Sequence, residues 1–109
     1  MLKVSFEQKG NNLSLKLEGH AGQADIGHDI VCASASILAY TVAQFVKEAE
    51  ANGCLKASAE IKLESGDAVV SCNPIDDMLI DIQNIYLFAE KGYHLLAHNY
   101  PQFVDLKPF

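Results

Sequence analysis

His20 and Cys32 are the residues of this chain whose types and placing could do chemistry. They stand in the segment Gly19-His20-Ala21-Gly22-Gln23-Ala24-Asp25-Ile26-Gly27-His28-Asp29-Ile30-Val31-Cys32-Ala33. His20 ends a strand-like run, a glycine-containing loop follows, and Cys32 opens a long segment with helical periodicity. A thiol is a good nucleophile only as the thiolate, and a helix N-terminus or a nearby imidazole favours that form. Asp29 reads as the helix N-cap, its carboxylate accepting the backbone N–H of the third helical residue. That third residue would be Cys32, inside the positive end of the helix dipole. Lowering a thiol pKa by about two units corresponds to about 2.7 kcal/mol in favour of the thiolate. The spacing predicts a thiolate–imidazolium pair, with His20 reaching across the loop Ala21–His28.

Other chemistry is weaker in the sequence. Taken alone, Cys32 could be a small buried hydrophobe, His20 a polar strand end and Asp29 a cap only. His20, His28 and Cys32 might be read as metal ligands, but the spacing fits no common zinc pattern and no fourth ligand is near. His94 and His98 share a helical face without a further ligand, so no metal and no cofactor is expected. His28 reads as a solvated loop residue. Cys54 and Cys72 read as packed or partly exposed thiols. Phe45, Tyr86, Phe88 and Tyr93 read as core.

The elements that must position the pair follow from the hydrophobic pattern. Residues 2–8 alternate as a strand, Lys9-Gly10-Asn11-Asn12 turns, and Leu13, Leu15 and Leu17 face one side of a second strand. A helix is expected from Asp29 to about Ala51, stopped by Asn52-Gly53. Alternation over residues 57–64 and 68–72 gives two more strands about the turn Ser65-Gly66-Asp67. Asn73-Pro74 signals the start of a second helix running to about His98, with Gly92 a weak point. Residues 103–107 form a short last strand. The expected fold is α+β: a two-layer ββαββαβ domain over residues 1–109, with two helices and a mainly antiparallel five-stranded sheet.

The chain has 109 residues, half of them apolar, enough to build a core without staples. Its net charge of −6 disfavours direct contact with a nucleic-acid backbone. Three cysteines without close spacing argue for a reducing compartment. No run suggests a membrane span and the N-terminus lacks a signal-peptide core, so a cytoplasmic location is expected.

The run Gly19-His20-Ala21, then Gly27-His28-Asp29-Ile30-Val31-Cys32-Ala33, then Ser36, resembles the ribosomal-processing cysteine protease family Prp. The order of elements and the chain length agree with it. Ser34 departs from the smaller residue usual there. The resemblance implies an endopeptidase that removes the N-terminal extension of bacterial large-subunit ribosomal protein twenty-seven. It implies Cys32 as nucleophile and His20 as general base, supported by Asp29 and Ser36 with Gly19 and Gly27, in a homodimer. Two other readings remain open at this stage: a thiol-dependent hydrolase of small molecules, and a non-enzymatic ribosome-assembly adaptor that binds a basic protein.

Overall fold

The computed structural model describes residues 1–20 and 26–109, with side chains described for 1–20 and 30–109. Strand β1 (Leu2–Lys9) and strand β2 (Asn12–Glu18) form the expected antiparallel hairpin. The register sets Val4 opposite Leu17 and Phe6 opposite Leu15. Strict alternation therefore puts these four on one buried face. Strand β3 (Glu60–Glu64) and strand β4 (Asp67–Cys72) form a second hairpin, and β4 pairs with β2. Strand β5 (Val104–Lys107) runs parallel to β1. The sheet order is β3-β4-β2-β1-β5, antiparallel at every junction except the last.

Helix α1 (Ile26–Ala51) and helix α2 (Leu79–Asn99) complete the α+β fold. Val31, Ala35, Ala39, Val42 and Val46 make a buried stripe at helical spacing on α1. The small residues in that stripe let the helix lie close to the sheet. On α2 the stripe is Ile82, Tyr86, Ala89, Tyr93 and Leu96. Its two tyrosines are fully buried, so each phenol needs a partner. Tyr86 Oη donates to Val70 O at 2.9 Å, and Tyr93 Oη donates to Ala35 O at 2.9 Å. Tyr93 thus ties α2 to the part of α1 just beyond Cys32.

The boundaries differ from the sequence reading at three places. Helix α1 begins at Ile26, so Asp29 lies inside the helix and is not its N-cap. His28 is likewise helical in its backbone and not a loop residue. Of the expected loop Ala21–His28, residues 21–25 lie outside the described residues and 26–28 are helix. The second correction concerns Asn73-Pro74. The backbone is extended at Ile75 and turns through a short 3-10 segment, Asp76–Met78, before α2 starts at Leu79. The cap-and-proline signal loses to pairing with the chain leaving α1. Lys56 N–H donates to Asn73 O at 2.7 Å, Ile75 N–H donates to Cys54 O at 2.9 Å, and Pro74 is fully buried. Asp76 then serves Lys56 and Asn11, whose hydrogen bonds hold its carboxyl below the usual range. Third, β3 starts at Glu60, since the Ala59 N–H is taken by the Glu50 carboxylate at 2.6 Å.

Two further expectations change. Phe88 is 76% exposed and belongs to no core. Residues Ile30–Ala51 are long and apolar enough to cross a membrane, against the expectation from the sequence, although one face of this helix packs on the sheet. Gly92 has a packing reason: a Cβ there would stand 2.8 Å from both methyls of Leu38 on α1.

Candidate active site

The site is built where the end of β2 meets the β3–β4 turn. Gly19 has φ +90°, a conformation that L side chains rarely adopt, and its N–H donates to Gly66 O at 2.9 Å. A Cβ on Gly19 would stand 2.9 Å from Met1 O. The next residue, His20, is exposed, and its carbonyl accepts from the Met1 nitrogen at 2.7 Å. Its imidazole lies directly across Gly66. A Cβ at Gly66 would overlap Nε2 and stand 2.6 Å from Cε1. The missing side chain of Gly66 is the seat of the ring.

Cys32 faces the same place from α1. His20 and Cys32 line one cleft of about 210 Å³. Gly19 and Ser36 line it too, so four residues singled out in the sequence come together. Leu2, Leu17 and Ala68 from the sheet give it an apolar floor. Asp29 and Gly27 lie on the first turn of α1. The side chain of Asp29 lies outside the described residues. Because α1 starts early, Cys32 falls in its second turn rather than its first. The helix dipole acts mainly within the first turn, so Cys32 lies beyond its main reach.

Gly66 and Tyr40 are among the cleft residues that were missed in the sequence. Gly66 was legible as a turn glycine, and its φ of +75° agrees. Its place beneath the histidine depends on the pairing of β2 with β4, which no local pattern reveals. Tyr40 carried a findable signal, since it follows Cys32 and Ser36 at helical spacing.

The other titratable groups stand apart. Cys72 is buried, and burial pushes its thiol up despite the Tyr86 hydroxyl 3.6 Å away. Cys54 is half-buried, with its Sγ 3.9 Å from Asn52 O. His94 is 3.9 Å from Glu90. Among the described residues, no group of three histidine, cysteine or acidic side chains could hold a metal.

A thiol and an imidazole along one open, apolar-floored cleft suit attack on the carbonyl of an extended acyl substrate. The comparisons agree with that chemistry. The model of the cysteine protease Prp family matches residues 1–105, and the chain belongs to that family of cysteine proteases. A ribosomal processing protease Prp from S. aureus, crystallised with a substrate peptide, superposes with a TM-score of 0.70 at 18% identity over 100% of both chains. The same enzyme with a covalently linked product peptide gives 0.69 at 19% identity, again over 100% of both chains. SMU.848 from Streptococcus mutans gives 0.68 at 27% identity, over 100% of this chain and 94% of that one. Comparison with curated protein sequences gives no match.

Proposed function

We propose that this protein is a cytoplasmic endopeptidase that removes the N-terminal extension of large-subunit ribosomal protein twenty-seven. The observation that carries the reading is the cleft shared by His20 and Cys32 in a chain of the Prp family. The S. aureus relative, described as a ribosomal processing protease, supports the choice of substrate.

In this mechanism His20 takes the Cys32 proton as Sγ attacks the scissile carbonyl carbon. The tetrahedral intermediate collapses, the C–N bond breaks, and the imidazolium gives its proton to the leaving amine. A thioester remains on Cys32. His20 then deprotonates a water, which attacks the thioester; the new carboxylate leaves and Cys32 regains a proton. Asp29, one turn before Cys32, and Ser36, one turn after it, are the supporting residues on α1.

The test incubates the extended ribosomal protein with wild type and with Cys32→Ala, and reads product masses. A single cleavage within the extension, present only with wild type, is expected. An uncut substrate, or assembly activity that survives Cys32→Ala, overturns the reading in favour of an adaptor.

Thiol reactivity gives a second check. Iodoacetamide at neutral pH should label Cys32 ahead of Cys54 and Cys72, as read by peptide mass spectrometry. Cys32 lines the same cleft as His20, whereas Cys72 is only 3% exposed. Equal rates at Cys32 and Cys54 would remove the activated thiol from the mechanism.

The homodimer belongs to the same proposal. An apolar groove of about 450 Å³ opens between α1 and α2, lined by Ile37, Thr41, Phe45, Ile85 and Phe88. Ile37 is 61% exposed and Phe88 76%, a pattern that suits burial against a second copy. Light scattering should give a dimer mass for wild type and a monomer mass for Phe88→Glu. A monomeric wild type, or a variant that still pairs, rules this groove out as the interface.

A further inference from the structure

The sheet has two open edges, β3 and β5. Among the described residues, only β3 of these two lines the cleft, through Leu63 and Glu64. The hairpin decides which way the backbone of β3 faces. Glu64 pairs with Asp67 across only two residues, Ser65 and Gly66. So tight a turn closes on a pair that exchanges both of its backbone hydrogen bonds. Bonded and non-bonded pairs alternate along an antiparallel ladder, so Lys62 with Val69 and Glu60 with Ser71 are bonded too. Ile61 and Leu63 therefore turn their N–H and C=O groups away from β4, to the open edge. Among the described residues, no backbone group of a turn or loop fills those bonds.

The side chains at this edge are also left uncovered. Ile61 stands opposite Val70 and Leu63 opposite Ala68, so all four share the face that packs under the helices. Val70 is 1% exposed and Ala68 8%, whereas Ile61 and Leu63 are only half-buried. The apolar layer thus continues past β4 and ends open to solvent. An edge with unpaired backbone and one apolar face is suited to take a further strand.

We infer that the substrate peptide is held as a sixth strand along β3, its backbone pairing with Ile61 and Leu63. The occupant is a peptide because this edge is continuous with the cleft that holds the reacting pair: Leu63 lines it together with His20 and Cys32. A strand laid there sits about 4.8 Å beyond β3. Continued past Leu63, it passes beside the turn at Gly66, where the His20 ring is seated. Alternate side chains fall on the face of Leu63, toward the α1 wall that Ser36 and Tyr40 give the cleft. The others stay in solvent. The edge therefore selects an extended backbone at every position and a side chain at every second one. This rests on the reading of the cleft as a peptide-cleaving site and adds how the peptide is held.

The experiment uses short peptides from the extension of ribosomal protein twenty-seven and the Cys32→Ala protein. Amide hydrogen exchange is followed by NMR without peptide and at saturating peptide. The amides of Ile61 and Leu63 should exchange at least about fivefold more slowly with peptide, while those of Lys62 and Glu64, already bonded to β4, change little. A single N-methyl group is then walked along the peptide backbone, with binding read by fluorescence anisotropy. Affinity should fall at least about fivefold at alternate positions and hold at those between. Cleavage is read separately with wild type by product mass. Unchanged exchange at Ile61 and Leu63, or an N-methyl walk without a period of two, overturns the added strand. Protection of both amides in the free protein that rises with protein concentration assigns the edge to a second copy of the chain, and overturns it too. Cleavage of a peptide that leaves these amides unprotected sinks the strand and spares the endopeptidase reading. Protection without cleavage supports the strand and counts against the proposed substrate. A peptide neither bound nor cut overturns both.

Discussion

His20→Ala is expected to lower turnover by about 10² to 10⁴-fold while leaving the fold in place. His20 is exposed at the end of β2 and gives the hydrophobic core nothing. Its backbone contact, the carbonyl that accepts from Met1, survives the substitution. Removing the ring takes no core volume away, so the melting temperature should stay within about 2 °C of wild type. In the proposed mechanism, loss of the imidazole takes from Cys32 its proton acceptor in the first step and from the amine its proton donor in the second. The early start of α1 sharpens this expectation, because Cys32 lies beyond the first turn, where a helix dipole could compensate. Both quantities are measurable on one preparation, turnover by product mass and stability by a thermal melt. Near wild-type cleavage by this variant would show that another group moves the proton.

Much of this arrangement is legible in the chain because short-range patterns carry it. The alternation Leu13, Leu15, Leu17 fixes which face of β2 is buried, and so brings β2 to its end at Glu18 with His20, two residues on, free of the core. The spacing of Val31, Ala35 and Ala39 fixes the inner face of α1, which leaves Cys32 and Ser36 beside the cleft. What was misread depends on partners distant in sequence. Asn73-Pro74 has the local form of a helix start, yet the backbone of residues 54–56 claims it first. Asp29 resembles a cap, but the helix extends one turn further back. Phe88 has the composition of a core residue and the helical phase of an outward one: the buried positions Tyr86 and Ala89 flank it on a different face of α2. Gly66 is the instructive case. Its turn was evident, but the ring above it comes from a strand almost fifty positions away in sequence.

That contact makes Gly66→Ala the variant with the second largest expected effect. Two separate penalties act there. The first is backbone strain, since φ is +75°, and an alanine there costs about 1 kcal/mol of stability, roughly 4 °C in melting temperature. The second is the overlap of the new Cβ with the His20 ring. The overlapped atoms are the far end of a mobile side chain, so the ring can swing aside at little cost in folding free energy. The cost falls on geometry instead, because a displacement of about 1 Å in a catalytic group can lower turnover by about 100-fold. Gly53 separates the two penalties. It shares a φ of +75°, and a Cβ there meets nothing within 4 Å. Gly53→Ala should therefore lose about the same stability as Gly66→Ala and keep its activity. Gly66→Ala should lose turnover by at least about tenfold, mostly in kcat, with substrate binding to its Cys32→Ala counterpart little changed. If the two alanine variants were equally active, the notch at Gly66 would be a turn requirement only, and the seat of the catalytic imidazole would have to lie elsewhere.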